Sequence, residues 1–289
     1  MVRGGVARVF RFRAPVWQAD VDAFGELRST TLLRLLQETA TRASSDAGFD
    51  PAYYERQATL WLVRRTAVTR MAPLRYGDEG EVTSWVADVR RVRSQREYAV
   101  HAGGRLAARA STDWVYVDRA TGRPRRVPAD MEQAFLPEPT APLARRPFPE
   151  PPAPAAALRA VRRVELQDLD ALAHVNNATY LHYVEQAAED AAAAVGWPLG
   201  AAIAAGGRLR PVLHDLEYAD AAVYGDEIEV ASWTTDVTTC EVERHTMLVR
   251  RSTARTLVRA ISRYAWTTLT GETATLPDGL RRVLEDARG

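Results

Sequence analysis

The segment YGDEGEVTSW (residues 76–85) returns as YGDEIEVASW (residues 224–233), and this repeat decides how the chain is organised. Eight of the ten positions are identical at an offset of 148 residues. The same offset, without a gap, aligns six earlier residues of the first copy with six of the second: Asp20, Asp22, Ala23, Thr31, Leu33 and Ala40 with Asp168, Asp170, Ala171, Thr179, Leu181 and Ala188. Two separate segments that agree on one offset indicate a duplicated domain. Two copies are too few for a solenoid, so a fused homodimer is the better interpretation.

A proline-rich stretch separates the two copies. Residues 137–154, PEPTAPLARRPFPEPPAP, contain eight of the sixteen prolines of the chain. Such a stretch favours extended polyproline-like chain over helix or sheet. We interpret it as a passive tether. The predicted organisation is an N-terminal domain at residues 1–136, a linker at residues 137–158 and a C-terminal domain at residues 159–289.

Each copy shows the same order of predicted elements. An extended stretch (residues 9–16 and 160–166) leads through an acidic loop into a helix (residues 29–47 and 177–195), and alternating strands follow. In the second helix, apolar residues recur at helical spacing and form one broad stripe: Tyr180, Leu181, Val184, Ala187, Ala188, Ala191 and Val195. One long helix followed by antiparallel strands predicts an α+β fold in which the sheet wraps around the helix, because nothing else in the copy can bury so broad a stripe.

Composition limits the possible functions. The chain has 289 residues and a formal net charge of +1, so nothing marks the whole chain as a nucleic-acid binder. All 38 basic residues are arginine, which excludes a lysine Schiff base and a P-loop with its lysine. The single cysteine, Cys240, excludes an intramolecular disulfide, and we interpret it as a small buried strand residue. Without a long apolar run or a signal-peptide core, a cytoplasmic protein with no membrane insertion is predicted.

The loop before the second helix concentrates the residue types that do chemistry. Residues 168–177, DLDALAHVNN, contain two aspartates, His174 and the asparagines Asn176 and Asn177. A helix N-terminus offers unpaired N–H groups and a positive dipole end, which suit an oxygen that gains negative charge. Asp170 and His174, four residues apart across a turn, are expected to reach one another and a common water. The structural alternative is that Asn177 caps the helix while the aspartates complement its dipole.

The first copy provides an internal control for this loop. Asp22 matches Asp170 at the same offset. The next three positions of interest differ: Glu26, Arg28 and Ser29 stand where the second copy has His174, Asn176 and Asn177. A purely structural loop has less reason to diverge in this way. We therefore predict one active site per chain, in the second half.

The motif Asp-x-x-x-His-Val-Asn-Asn-x-x-Tyr, residues 170–180, resembles the signature of hotdog-fold thioesterases, and the tandem arrangement resembles the acyl-ACP thioesterases of plants and bacteria. First-half segments fit the same pattern: residues 36–40, 61–65, 75–79, 84–85, 111–115 and 121–124. The resemblance implies two tandem hotdog domains packed as a pseudo-dimer. It also implies hydrolysis of a fatty or polyketide-type acyl thioester of acyl carrier protein, in fatty-acid biosynthesis. Asp170 and His174 would be catalytic, and Asn176 and Asn177 would bind substrate.

The chain also departs from the plant pattern. Leu172 stands where plant members carry an asparagine, and neither their glutamate nor their cysteine aligns cleanly after Leu216-Glu217-Tyr218. Asp220 is a candidate substitute for that glutamate. No spacing of histidines and carboxylates resembles a metal site, so no metal and no cofactor are expected.

Three other functions are considered beside the acyl-ACP thioesterase. A hotdog acyl-CoA thioesterase differs only in the carrier, and a non-catalytic acyl-carrier binding module would use the fold without chemistry. A dehydratase or hydratase pattern has asparagine two and histidine five residues after its aspartate, where this chain has Leu172 and Val175.

Thioester hydrolysis needs a base or nucleophile and an oxyanion site, whereas a thiolate leaves readily because thiol pKa values are near 8.5. We expect Asp170 to activate water or to attack directly, with His174 positioning the water or sharing the proton. The reverse assignment fits the same residues. Backbone N–H groups near residues 176–178 are expected to hold the oxyanion. His214, which shares a strand face with apolar residues, is interpreted as a core histidine rather than a channel residue.

Arginine-rich stretches are candidates for binding the partner. Residues 90–93, 208–210 and 250–251 each contain two or more arginines, which suit an acidic acyl carrier protein. Solvated strand ends explain these stretches equally well. A pseudo-dimeric monomer and a homodimer are both consistent with the duplication, and no nucleic-acid partner is expected.

Overall fold

The computed structural model describes residues 9–135 and 146–288. The chain divides into two compact units, Met1–Arg145 (unit 1) and Arg146–Gly289 (unit 2). The elements of unit 1 are β1 (Phe10–Pro15), α1 (Ser29–Asp46), α2 (Pro51–Arg56), β2 (Thr59–Arg70), β3 (Glu79–Arg90), β4 (Arg93–Ala102), β5 (Arg105–Asp118) and α3 (Ala129–Ala134). Those of unit 2 are β6 (Leu158–Arg163), α4 (Asn177–Ala194), α5 (Leu199–Ala204), β7 (Gly207–Tyr218), β8 (Glu227–Val237), β9 (Glu241–Arg250), β10 (Arg255–Thr268) and α6 (Asp278–Asp286).

Within the described residues, the strands of each unit form an antiparallel array with a long helix on one face. The strand order is β1–β3–β4–β5–β2 in unit 1 and β6–β8–β9–β10–β7 in unit 2. Every pairing within these arrays is antiparallel. Helix α1 packs on β1 and β3, and helix α4 packs on β6, β8 and β9. The predicted α+β fold, a sheet around one long helix, is confirmed.

The offset of 148 residues holds element by element. The first strands, the long helices and the next three strands of the two units all begin 148 residues apart. The offset becomes 150 at β5 and β10 because the turn between β9 and β10 is two residues longer than its counterpart. Each long helix ends one residue earlier than predicted, at Asp46 and Ala194. The duplication read from the sequence is therefore a duplication of structure.

Helix α4 buries the stripe that its apolar spacing predicted. Five of the seven stripe residues are buried: Tyr180, Leu181, Val184, Ala187 and Ala191. Their burial agrees with the packing of α4 on β6, β8 and β9. Among the helices in the described ranges, none is both long and apolar enough to cross a membrane.

The repeated YGDE segment is the turn that joins two strands in each unit. Gly77 and Gly225 have φ angles of 86° and 82°, a left-handed conformation that glycine adopts without strain. In each copy the following aspartate accepts a hydrogen bond from the backbone N–H three residues before it, at 2.7 Å in unit 1 and 3.1 Å in unit 2. Turn geometry thus accounts for this part of the repeat.

The proline-rich stretch is only partly among the described residues, because residues 137–145 lie outside them. Residues 146–157 pack on the sheet of unit 2. Arg146 binds the carboxylate of Glu243 with both terminal nitrogens, one at 2.9 Å. Glu150 pairs with Arg259 at 2.9 Å, and Ala157 belongs to a buried apolar cluster of unit 2. This part of the stretch packs on unit 2, and the interpretation as a passive tether does not account for these contacts.

Candidate active site

The loop between β6 and α4 is a tight turn closed by Asp170. The Asp170 N–H donates to the carbonyl of His174 at 2.8 Å, and Asp170 Oδ1 accepts a hydrogen bond from the N–H of Leu172 at 2.9 Å. Ala173, the residue before the histidine, has a φ of 58°. The turn thus fixes the direction in which residue 174 leaves the backbone.

Unit 1 builds the same turn at its matching loop. The Asp22 N–H donates to the carbonyl of Glu26 at 2.8 Å, and Asp22 Oδ1 accepts the N–H two residues later, also at 2.8 Å. Gly25 has a φ of 72° where unit 2 has Ala173. The two matching aspartates therefore have the same structural role, and a carboxylate at this position is explained by folding alone.

Asp168 fastens the loop of unit 2 to helix α4. Its Oδ2 accepts hydrogen bonds from the hydroxyl of Tyr183 and from the N–H of Glu165, both at 2.8 Å. Burial, followed by the nearby Asp168 carboxylate, raises the pKa of Tyr183, so the phenol stays protonated and donates. No role was predicted for Tyr183, because Asp168 lies outside α4 and no periodic spacing links the two residues.

Asn176, rather than Asn177, is the N-cap of α4. The Asn176 Oδ1 accepts a hydrogen bond from the N–H of Ala178 at 2.9 Å, and the Asn176 N–H donates to the Asp168 carbonyl at 2.9 Å. The N–H groups on either side of Asn177 are thus used within the loop. The N–H of Asn177 makes no hydrogen bond with the described residues, while its carbonyl accepts one from the Tyr218 hydroxyl at 3.3 Å. Of the backbone N–H groups of residues 176–178, only that of Asn177 has no hydrogen bond among the described residues.

The side chain of His174 is half-buried. In the part of the chain that the structure describes, its imidazole makes no hydrogen bond and no ion pair. Asp170 and His174 are therefore brought together by a backbone hydrogen bond across the turn, without a direct contact between their side chains. The imidazole nitrogens of His174 are therefore not engaged by the described residues and can form a hydrogen bond with a small molecule.

A second segment of unit 2 lies against this loop. The Val175 N–H donates to the Ala222 carbonyl at 2.9 Å, and the Ala222 N–H donates to the hydroxyl of Tyr180 at 2.7 Å. Burial raises the pKa of Tyr180 to about 12. Asp220, the candidate substitute for the plant glutamate, pairs with Arg250 at 3.2 Å and accepts the N–H of the next residue at 2.9 Å. Its carboxylate therefore holds the segment in place.

The position of His174 is occupied differently in unit 1. The matching residue, Glu26, is buried with 1% of its surface exposed, and its carboxylate lies 3.6 Å from the guanidinium of Arg75. The residue of unit 2 that matches Arg75 is Val223, which pairs with His174 through the same short antiparallel bridge. Unit 1 thus carries an ion pair at the position where unit 2 presents a histidine.

Two other residues singled out in the sequence have structural positions. His214 is fully buried, with Nδ1 at 2.9 Å from Ser262 Oγ and Nε2 at 3.1 Å from Glu185 Oε1. The interpretation as a core histidine agrees with these contacts. Cys240 was expected in a buried strand, which is wrong: it is partly exposed in the turn between β8 and β9.

Two small cavities of unit 2 lie toward the other end of α4. Each holds about 10 Å³, enough for about one water molecule. Their walls include Glu189, Ala192 and Leu209, and neither cavity is lined by Asp170 or His174. Across residues 9–135 and 146–288, no group of three or more histidine, cysteine or carboxylate side chains is arranged to hold a metal ion.

Comparison with known proteins agrees with this architecture. Residues 7–135 match the family model of the acyl-ACP thioesterase N-terminal domain, and residues 164–284 match that of the thioesterase-like superfamily. Each of these two matches covers less than half of the chain.

Solved structures of thioesterases share the fold of this chain. An oleoyl thioesterase (putative) from Lactobacillus plantarum matches with a TM-score of 0.76 and 16% identity, over 94% of this chain and 98% of the other. The 12:0-ACP thioesterase from Umbellularia californica matches with a TM-score of 0.73 and 18% identity, over 90% and 94%. The tandem hotdog fold predicted from the sequence is confirmed by these matches.

Curated proteins similar to this chain include plant proteins. The acyl-[acyl-carrier-protein] hydrolase FATB2, chloroplastic, of Cuphea viscosissima is 27% identical over 191 residues, which is 61% of this chain and 46% of the relative. The chain thus spans about half the length of the curated relatives it matches.

Proposed function

We propose that this chain hydrolyses acyl thioesters of acyl carrier protein at the loop of residues 168–177 in unit 2. One observation carries the proposal. Both units build the same turn and leave the N–H of the first helical residue, Ser29 or Asn177, without a hydrogen bond among the described residues, but only unit 2 presents a histidine that has no structural partner there. Because the fold of the turn does not need an imidazole, its presence in unit 2 favours a chemical role.

In this mechanism His174 removes a proton from the attacking water. Its imidazole has no hydrogen bond to break within the described residues, whereas Oδ1 of Asp170 holds the turn. The other oxygen of Asp170 accepts a hydrogen bond from the same water and orients it. The base is thus assigned to His174, and the carboxylate becomes the group that positions the nucleophile.

The thioester carbonyl is placed next to the first turn of α4. When water attacks the carbonyl carbon, the C=O π bond breaks and its oxygen takes up the negative charge. The N–H of Asn177, at the positive end of the helix dipole, stabilises that charge. Collapse of the intermediate breaks the carbon–sulfur bond and releases a thiolate, which needs little acid assistance. The Asn177 side chain is the proposed contact to the substrate beside this N–H.

The carrier and the location are parts of the same proposal. Acyl carrier protein is the partner named for the curated relatives and for the Umbellularia structure. The curated relatives are chloroplastic, so the cytoplasmic location stays a prediction for this chain.

The direct test is to offer the purified chain one acyl group on three carriers: acyl carrier protein, coenzyme A and N-acetylcysteamine. We expect thiol release from the carrier-protein thioester with a higher kcat/KM than from the other two. Faster release from coenzyme A would favour the acyl-CoA thioesterase. Hydration of an enoyl thioester would indicate the hydratase, and carrier binding without thiol release would indicate a binding module.

A further inference from the structure

The three arginine-rich stretches predicted as candidate docking sites differ in their burial and in their ion pairs. Arg208 and Arg210 are buried, with 3% and 6% of their surfaces exposed. Arg250 pairs with Asp220 and Asp226, and Arg251 pairs with Glu227. The stretch at residues 90–93 remains, because its three arginines are exposed at the turn between β3 and β4.

Five further arginines join this turn at one end of the sheet of unit 1. The Val127 N–H donates to the Arg91 carbonyl at 2.7 Å, which places residues 123–127 beside the turn. The Arg119 N–H donates to the Ala58 carbonyl at 2.9 Å, which brings in the end of α2. All eight side chains belong to exposed residues, and we call this set the arginine end: Arg56, Arg90, Arg91, Arg93, Arg119, Arg123, Arg125 and Arg126.

The positive charge of the arginine end is mostly uncompensated. Arg90 pairs with Asp88 at 2.8 Å and Arg125 lies 3.7 Å from Asp118. The other six arginines make no ion pair with any residue that the structure describes. Like charges gathered at one place repel each other and contribute nothing to folding, so a partner of opposite charge is the simplest reason for them.

Unit 2 shows that the fold does not require these arginines. Two backbone contacts recur at its matching strand ends. The Leu276 N–H donates to the Thr239 carbonyl at 2.9 Å, as Val127 does to Arg91, and the Thr268 N–H donates to the Glu272 carbonyl at 2.8 Å, as Asp118 does to Arg123. None of the eight matching positions in unit 2 is an arginine: Ala204, Thr238, Thr239, Glu241, Leu269, Glu272, Ala274 and Thr275. The alternative of ordinary solvated strand ends therefore does not account for the cluster.

The charge of the whole unit has the same sign as its arginine end. Unit 1 contains 23 arginines and 17 acidic residues, a formal charge of +6. Unit 2 contains 15 arginines and 20 acidic residues, a formal charge of −5. The net charge of +1 thus conceals two units of opposite charge. An acidic partner is attracted to unit 1 and repelled by unit 2.

We propose that the arginine end is the docking surface for the carrier protein and that it contacts an acidic helix of the carrier. This inference rests on the proposed function. The surface follows the ends of four neighbouring strands, β3, β4, β5 and β2, or about 15 Å at the usual strand spacing. A helix with its side chains is about 10–12 Å across, so one helix fits. The segment RATGRPRR (residues 119–126) contains no aromatic residue on which a base could stack, which disfavours single-stranded nucleic acid.

The test compares two fourfold variants with the same change in net charge. The first replaces four unpaired members of the arginine end: Arg91→Glu, Arg93→Glu, Arg123→Glu and Arg126→Glu. The second replaces four exposed arginines elsewhere that have no ion pair in the described residues: Arg34→Glu, Arg109→Glu, Arg163→Glu and Arg282→Glu. Binding of labelled carrier protein is measured by fluorescence anisotropy, and hydrolysis of one acyl group is measured on the carrier and on N-acetylcysteamine.

We expect the first variant to raise Kd and KM for the carrier about tenfold or more, while kcat and KM for the small thioester stay unchanged. The second variant should leave Kd for the carrier within about twofold of wild type, because its charges are not in contact with the partner. Equal losses in both variants, or an unchanged Kd in the first, would overturn the docking surface. The docking surface would also be overturned if the wild-type chain bound single-stranded RNA or anionic vesicles and the first variant lost that binding while it still bound the carrier.

The binding arm also separates this inference from the proposed function. A wild-type chain that binds the carrier through the arginine end but releases no thiol contradicts the hydrolase and supports the docking surface. A chain that hydrolyses carrier thioesters with no dependence on the arginine end supports the hydrolase and contradicts the docking surface.

Discussion

The loops of residues 20–29 and 168–177 have the same backbone and different chemistry. In both loops, an aspartate closes the turn by accepting a hydrogen bond from the N–H two residues later. The residue three positions after the aspartate, Gly25 or Ala173, has a positive φ. In unit 1 the turn ends on a buried glutamate paired with Arg75, and in unit 2 it ends on a half-buried histidine. The comparison separates the residues that build the turn from those that remain for chemistry.

The largest difference between the two loops is expected when the shared aspartate is replaced in each unit. Asparagine keeps an oxygen that accepts the turn hydrogen bond, so Asp22→Asn and Asp170→Asn should lower the unfolding midpoint by similarly small amounts. Only Asp170→Asn should reduce kcat for thioester hydrolysis, by about 10²-fold, because it removes the charge that orients the water. Thermal unfolding and steady-state hydrolysis of the two variants provide the measurement. Equal activity of the two variants would limit Asp170 to its structural role.

A smaller effect is expected at the helix cap, where the two units also differ. Asn176 caps α4 with its side chain, whereas Arg28 makes no such hydrogen bond at the start of α1. Asn176→Ala should cost about 1 kcal/mol of unfolding free energy and lower kcat severalfold, because the first turn of α4 positions the Asn177 N–H. Asn176→Asp keeps the capping oxygen and should retain the stability in urea unfolding. A stable Asn176→Ala variant would contradict the cap.

The smallest effect is expected at the strained position of the turn. Ala173 has a φ of 58° where unit 1 has Gly25, and a non-glycine residue there costs about 1 kcal/mol. Ala173→Gly should therefore stabilise the protein and Gly25→Ala should destabilise it by a similar amount. No atom lies within 4 Å of a Cβ added at Gly25, so the cost there is conformational rather than steric. Equilibrium unfolding of both variants checks the pair, and shifts of the same sign would contradict the shared turn.

The fold was predictable because its signals are local and repeated. The offset of 148 residues and the apolar stripe of α4 fixed the order of elements to within a residue at the ends of the long helices. The choice between Asn176 and Asn177 as the cap was not predictable, because both positions hold asparagine, a good capping residue, and only the backbone conformation decides between them. Only the three arginines of residues 90–93 in the arginine end were predicted from the sequence, because the other five come from other segments that backbone contacts bring beside them.

The most direct test of the account is the hydrolysis rate of His174→Ala, measured as kcat/KM on a carrier-protein thioester beside the control His182→Ala. His182 is exposed on α4, eight residues after the catalytic candidate, and takes no part in the proposed chemistry. Loss of a general base predicts a fall of about 10²–10⁴-fold for His174→Ala, while His182→Ala stays within about twofold of wild type. A folded His174→Ala variant that hydrolyses the thioester at the wild-type rate would contradict the assignment of the active site to unit 2.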